Sequence, residues 1–362
     1  MLDKVYYSLI KNNLSTPIYL ILYVTNRCNA RCAHCFYGIN NPTFKDLSTE
    51  EIEKFSKQLG RVVWLSLTGG EPFIRQDIDK VYEIFRTNNQ VSNITIPTNG
   101  FFVQSIYKKT KAMLEKGPVE SLSINLSLDG TKEYHDEMRK LECYEKVFDA
   151  YNLLSDLKEE FPYLFIKVNT VITKFNINLI EDLHKDVWKR MPNLDHHNFE
   201  IVRGDPYDKN YVAPTMKELI KIRPFIFSIW DKYNFYGRNI KSTIANNAKK
   251  MLFDFYLDTI ETQKRTTPCY AGIVHSVLDS NGDLYFCELL SKVGNIRQNT
   301  FQEIWNSDKA KELRKSIDEK KCHCTHSCFH NTNLTFDQKN WLKLIQGTRY
   351  KPQEMVPAYN MA

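Results

Sequence analysis

The chain has 362 residues and a formal charge of +6, with 49 Lys and Arg against 43 Asp and Glu, long enough for a barrel-sized domain and a smaller one. A 42% hydrophobic and 25% charged composition excludes a disordered chain, and no apolar run reaches the roughly eighteen residues of a membrane span. Basic residues are not interleaved with aromatics on a recognisable surface, so no nucleic-acid partner is expected; with no basic-then-apolar leader before the first strand, the expected location is the cytoplasm.

Residues 1–15 read as a short amphipathic lead-in. An apolar run at 18–24 then enters TNRCNARCAHCFYG, which places Cys28, Cys32 and Cys35 as C-x3-C-x2-C. Ser48-x-x-Glu51 is a capping box opening a helix that stops at Gly60. A strand at 62–67 ends in Thr68-Gly69-Gly70-Glu71-Pro72. The spacing then predicts a helix at 77–88, a strand at 92–96 before Thr98-Asn99-Gly100, and a helix at 102–116. A strand at 121–128 ends in Asp129-Gly130, followed by one long helix at 131–158. A strand at 165–172, a helix at 177–190 and a strand at 198–202 ending in Arg203-Gly204 complete the series. Near-continuous apolar strands alternating with helices imply a parallel sheet covered by helices. Six units make an α/β, partial (β/α)6 TIM-like barrel.

Residues 214–262 read as helical, with Leu219, Ile222, Ile226 and Trp230 at helical spacing. Of the aromatics Phe225, Phe227, Trp230, Tyr233, Phe235 and Tyr236, most are expected in core packing rather than lining a substrate cavity. The expected division is a barrel over 1–210, a helical bridge over 211–264, a small α+β unit over 265–335 and a tail over 336–362.

Three thiolates at the spacing of Cys28, Cys32 and Cys35 can hold three irons of a cubane cluster, which normally takes four cysteines. Structural zinc favours paired C-x2-C units, and no second pair lies nearby. Each special loop falls at the C-terminal end of a strand, the face that carries active sites in barrels. The triplet and these loops resemble the radical S-adenosylmethionine (SAM) enzymes. The resemblance implies that the fourth iron of the [4Fe–4S] cluster binds SAM, which is cleaved to a 5′-deoxyadenosyl radical. It further implies that Gly69, Gly70, Glu71 and Pro72 receive the SAM ammonium, with the two glycines allowing close approach to the ligand. His34 would sit beside the adenine, Ser127 and Asp129 on the ribose, and Asn99 and Arg203 in the SAM pocket.

Further along, Cys269, Gly282 and Cys287 follow C-x12-G-x4-C, with Asn281-Gly282 as a hairpin turn. Cys322, Cys324 and Cys328 follow as C-x-C-x3-C. This resembles SPASM and twitch extensions, which hold auxiliary iron–sulfur clusters. A full SPASM domain has seven cysteines and two clusters. The five here imply one auxiliary [4Fe–4S] cluster plus a spare thiol, the twitch arrangement, leaving open which of the last three are ligands. A zinc knuckle using His323, His326 or His330 is the alternative. Glu288, next to Cys287, would be a general base. A hydrogen-donor thiol would be Cys143, or the non-ligating member of the last three, for which Cys324 is assigned.

The resemblance implies hydrogen abstraction from a small polar substrate, a sugar or aminocyclitol, leading to epimerisation or dehydrogenation. Cys28 lies near the chain start, which the resemblance sets against an N-terminal peptide-binding domain. Modification of a ribosomal peptide remains an alternative, as does a scaffold or sensor that makes no radical. The lysines of 309–321 suggest docking of an acidic flavodoxin- or ferredoxin-type electron donor.

Overall fold

The computed structural model describes residues 15–38, 40–41, 43–233, 240–265 and 267–346. The lead-in up to residue 14, the far end of the tail, and Phe235 and Tyr236 lie outside them. Six strands run β1 (Tyr19–Thr25), β2 (Trp64–Gly69), β3 (Asn93–Thr98), β4 (Ser121–Ser127), β5 (Leu164–Ile172) and β6 (His196–Ile201). Each pairs in parallel with the next, giving a partial TIM-like barrel. The covering helices are α1 (Thr49–Ser56), α2 (Ile78–Asn89), α3 (Val103–Glu115), α4 (Lys132–Arg139), α5 (Tyr144–Glu160) and α6 (Ile180–Arg190).

Strand periodicity of two divides each strand between two environments. Leu65 and Leu67, Ile94 and Ile96, Leu122, Ile124 and Leu126, and Ile166 and Val168 are buried in the core. The opposite faces, which look into the barrel, carry Ser66, Thr68, Asn93, Thr95, Ser123, Asn125, Lys167, Asn169, Asn198 and Glu200. Apolar runs expected to be buried on both faces are therefore half polar, and that polar half lines the lumen.

The single long helix expected over 131–158 is two. Lys140 is left-handed (φ 51°), and Asp136 of α4 accepts from the N–H groups of Cys143 (2.9 Å) and Tyr144 (2.8 Å), capping α5 from outside. The break turns Arg139 inward.

Two helices, α7 (Met216–Lys232) and α8 (Ile240–Thr262), form the expected helical stretch. Trp230 and Tyr233 are buried and Phe225 and Phe227 pack on the core, as expected of most of these aromatics. Beyond them, β7 (His275–Leu278) pairs in parallel with β1, while β8 (Asp283–Tyr285) and β9 (Gly294–Asn295) add antiparallel strands. The C-terminal unit thus continues the barrel sheet, in the order β6-β5-β4-β3-β2-β1-β7-β8-β9. Helices α9 (Phe301–Trp305), α10 (Asp308–Asp318), α11 (Ser327–Phe336) and α12 (Trp341–Gln346) complete it. Arg297 clamps the units with bonds of 2.6 and 3.0 Å to both oxygens of Glu51. Among the described residues no helix is long and apolar enough to cross a membrane.

Candidate active site and cluster cavities

The cysteine loop leaves β1 and meets the Gly-Gly loop leaving β2. Gly70 N–H donates to Thr25 O and Glu71 N–H to Arg27 O, both at 2.9 Å. A Cβ on Gly69 would stand 2.3 Å from Thr25 O, and one on Gly70 2.2 Å from Arg27 O. The glycines are thus required by backbone packing between loops. Glu71 is 1% exposed and its carboxylate is committed. It accepts from Phe73 N–H (3.2 Å), Thr98 Oγ1 (2.8 Å) and Asn99 N–H (2.8 Å). It braces the joint between the loops and also lines the cavity they enclose. Pro72 opens the short 3-10 turn Pro72–Ile74 and is buried behind it.

These loops enclose a cavity of about 240 Å³ lined by Cys28, Cys32, Cys35, His34, Gly69, Gly70, Asn99, Ser127 and Arg203. Lining residues that were not anticipated include Arg139, Asn169 and Glu200. Asn169 and Glu200 were visible as polar residues at alternate positions in apolar strands; Arg139 lay inside the single long helix expected over 131–158. His34 Nδ1 lies 2.9 Å from Met138 Sδ, and burial lowers its pKa to about 4, so the ring is neutral. Arg203 donates to Glu200 (3.0 Å), stacks over Phe36, and keeps a buried Nε without a hydrogen-bond partner.

Asp129 does not line this cavity. It is fully buried, with Oδ2 accepting from Arg139 Nε (2.9 Å) and Nη2 (2.6 Å) and Oδ1 from Val171 N–H (3.0 Å). Burial pushes its carboxyl up, but Arg139 outweighs burial, with His34 and His135 adding to it, and holds it near 2. Arg139 in turn reaches Cys32 Sγ at 3.7 Å. The ribose role expected of Asp129 is replaced by aiming a guanidinium at a cysteine. Asp129→Asn should strand a buried cation and cost about 3–5 kcal/mol of stability, read by anaerobic urea unfolding. A change under about 0.5 kcal/mol, the range of a surface substitution, would contradict this arrangement.

Cys143 is also displaced from its expected place. It is fully buried, and its Sγ lies 3.2 Å from His135 Nε2. Because His135 Nδ1 accepts from Asp129 N–H (3.2 Å), Nε2 carries the proton and Cys143 receives it. A thiol walled in this way does not reach a substrate.

A second cavity of about 260 Å³ lies in the C-terminal unit, lined by Cys269, Cys287, Cys322 and Cys324 together with Arg265 and His330. Cys328 is not among its lining residues. Its thiol instead meets Tyr19 on the inward face of β1, with Arg203 and Tyr256 nearby. Cys324 therefore lines the cavity with the other three thiols, whereas Cys328 is linked to Cys287 through His326. His323, 3.0 Å from Gln263, and His330, 3.7 Å from Cys324 Sγ, line this cavity with the thiols, while His326 faces Glu288 and also hydrogen-bonds Cys287 and Cys328. Glu288, expected as a general base beside Cys287, is a hub of polar contacts with a side chain 7% exposed. Tyr23 donates to its Oε1, and its Oε2 lies 3.0 Å from His326 Nε2 and 3.9 Å from Arg203 Nη2.

The thiol spacing discriminates between a single ion and a cluster. Tetrahedral zinc at ~2.3 Å from each sulfur brings its ligands within roughly 4 Å of one another. Among the described residues only His135, Asp136 and Cys143 bring three such atoms within 4.8 Å of one another, and their polar atoms are spent on the caps and bonds above. Neither cysteine group does, which suits a multi-iron core.

Residues 22–187 match the family described as the Radical SAM superfamily, and residues 269–329 match an iron–sulfur cluster-binding domain of the SPASM type. The chain carries a radical SAM domain followed by a SPASM domain. An AdoMet-dependent heme synthase of Methanosarcina barkeri is 27% identical over 322 residues, 83% of this chain and 85% of that protein. A cysteine-type anaerobic sulfatase-maturating enzyme of Clostridium novyi is 25% identical over 358 residues, 88% of this chain and 89% of that one. Among solved structures, SuiB of Streptococcus suis bound to S-adenosylmethionine superposes with a TM-score of 0.59 at 17% identity, covering 86% of this chain and 71% of that one.

As a radical SAM protein with a SPASM domain, the chain takes a SAM-binding four-iron cluster and auxiliary iron–sulfur binding. The residues fit both. Burial pushes Cys28 up to about 11 and Cys32 up to about 12, so these thiols ionise only when a cation is present to bind them. Donors already point at the sulfurs: Ala30 N–H at Cys28 (3.4 Å), Arg139 at Cys32, and Leu289 N–H at Cys287 (3.5 Å).

Proposed function

We propose that this radical SAM enzyme removes a hydrogen atom from a polar substrate admitted to the barrel lumen. The supporting observation is the three-thiol cavity, whose far wall is Ser127, Asn169, Glu200 and Arg203. When bound, the cluster and SAM together supply the 5′-deoxyadenosyl radical. Cys28, Cys32 and Cys35 hold that cluster, and Arg139, fixed by Asp129, adds positive charge beside Cys32. Gly69 and Gly70 shape the loop that Glu71 braces, and backbone groups there take the SAM ammonium. His34 flanks the adenine as a neutral ring, while Ser127, Asn99 and Arg203 offer polar contacts. Cys269, Cys287, Cys322 and Cys324 form a complete four-thiol set for one auxiliary cluster. Cys328 is left on the lumen side, where a thiol can return a hydrogen atom. Exposed Lys311 and Lys315 of α10 offer an acidic electron donor a place to dock.

The reaction is epimerisation or dehydrogenation of a small polar molecule, sugar-like or aminocyclitol-like. A peptide substrate is the second reading, and the relatives favour it. The Clostridium novyi relative is named for sulfatase maturation, AlbA of Bacillus subtilis for subtilosin biosynthesis, and SuiB has been solved with its precursor peptide SuiA. Anaerobically reconstituted, reduced protein given SAM should form 5′-deoxyadenosine, measured by chromatography. Its absence would leave only the scaffold or sensor reading.

A further inference from the structure

The start of the cysteine loop and the turn at Asn40 and Asn41 are zipped together. Asn26 N–H donates to Asp46 Oδ1 (3.0 Å), Asn26 Nδ2 to Asn41 O (2.9 Å), and Asn40 N–H to Asn26 O (2.7 Å). Asn40 then reaches across this zipper. Its Oδ1 accepts from Cys28 N–H at 3.1 Å, and its Nδ2 donates to Cys28 O at 2.9 Å. One side-chain amide thus holds both backbone groups of the first cysteine of the triplet.

Asn40 has φ 53°, in the left-handed region. Glycine takes that conformation most readily, and Asn is among the few residues with a side chain that are enriched there. Here the conformation sets the amide against Cys28. The other two cysteines are placed by different means. On either side of Cys32, Arg31 and Ala33 N–H groups donate to Arg139 O and Met138 O at 3.0 Å, and Cys35 N–H donates to Cys32 O at 3.0 Å. Beside Cys28, Arg27 O accepts from Glu71 N–H (2.9 Å) and Asn29 Oδ1 from Asn99 Nδ2 (2.9 Å). Cys28 itself is carried by Asn40, and in that setting Ala30 N–H reaches Cys28 Sγ at 3.4 Å.

Resting on the reading of Cys28 as a cluster ligand, we propose that Asn40 is a positioning residue for the SAM-binding cluster. Asn40 does not line the triplet cavity, whereas Cys28 does, so it acts through Cys28. By fixing the Cys28 backbone it presents the sulfur to the cavity and keeps the Ala30 N–H on that sulfur. Groups that orient a metal ligand govern how well the metal is held. Hydrogen bonds to cluster sulfurs set the reduction potential, raising it because they favour the more negative, reduced state.

Anaerobic iron release to a ferrous chelator, with an EPR-monitored redox titration, tests this on the reconstituted full chain. Asn40→Gly keeps the left-handed backbone and removes the amide. The triplet-site iron, defined as the iron and the EPR signal missing from Cys28→Ala protein, should leave about tenfold faster or more. The midpoint potential of the same signal should fall, because the bond from Ala30 N–H to sulfur is loosened. Release at the wild-type rate overturns the proposal. Faster release at an unchanged or raised potential also overturns it, since that marks a loop loosened as a whole. If Asn40→Gly fails to fold by circular dichroism, Asn40→Asp takes its place, read by release alone. It keeps an acceptor for Cys28 N–H but has no donor for Cys28 O. Iron and signal both unchanged in Cys28→Ala would overturn the ligand reading, and this inference with it. Neither measurement needs SAM cleavage or a substrate.

Discussion

Replacing Cys28, Cys32 and Cys35 together by Ala should lower the iron of reconstituted protein from about eight to about four per chain, by four-iron counting for each cubane, and abolish 5′-deoxyadenosine formation. The two effects must fall together, because no other cysteine lines the first cavity. The fold should survive, since the loop is tied by bonds that do not involve sulfur. Gly70 and Glu71 anchor its near side, Asn40 Nδ2 donates to Cys28 O at 2.9 Å, and Arg31 and Ala33 N–H groups donate to Arg139 O and Met138 O at 3.0 Å. A triple variant that still cleaves SAM would remove the central assignment. One that loses all its iron would show that the auxiliary site depends on the first.

What was legible in the sequence follows from how local each signal is. The capping box at Ser48 and Glu51 and the hairpin at Asn281-Gly282 are set by a few neighbouring residues, and both occur in the structure. Strand ends at Gly69, Thr98 and Ser127 could be read because turn residues follow an apolar run. Side-chain roles were less legible, because a carboxylate's partners are chosen by tertiary contacts. Glu71 and Asp129 were assigned to a ligand from the family resemblance; Glu71 also accepts from Asn99 N–H, and Asp129 is held by Arg139 away from the cavity. Arg139 itself was hidden by a helix break whose cause, Asp136 capping α5, spans seven or eight residues. The parallel pairing of β7 with β1 joins segments about 256 residues apart, and no local pattern announces it. The lumen was hidden for another reason: Ser123, Asn125, Lys167 and Asn169 alternate with Leu, Ile and Val, and the apolar half dominated the reading.

Changing Cys269 and Cys287 to Ser should remove about four irons and destabilise the C-terminal unit, whereas Cys328→Ala should keep the full iron content. The contrast follows from the second cavity. Cys269 and Cys287 sit at the two ends of the β7–β8 hairpin, and Cys322 and Cys324 close the ring from the segment between α10 and α11. A cluster there ties three chain segments together, so its loss is also a loss of folding free energy. Cys328 is the second residue of α11, on the side of Tyr19 and Arg203. If this thiol returns hydrogen to a substrate radical, wild-type product formed in deuterated water should carry one deuterium at the inverted carbon, since thiol hydrogens exchange with solvent. The Cys328→Ala enzyme should still form 5′-deoxyadenosine but fail to place that deuterium. A product that is oxidised and unlabelled would instead assign dehydrogenation, with the auxiliary cluster as electron acceptor. Loss of about four irons in the Cys328→Ala protein would place Cys328 in the ligand set and leave the lumen without a donor thiol, because Cys143 is sealed behind His135.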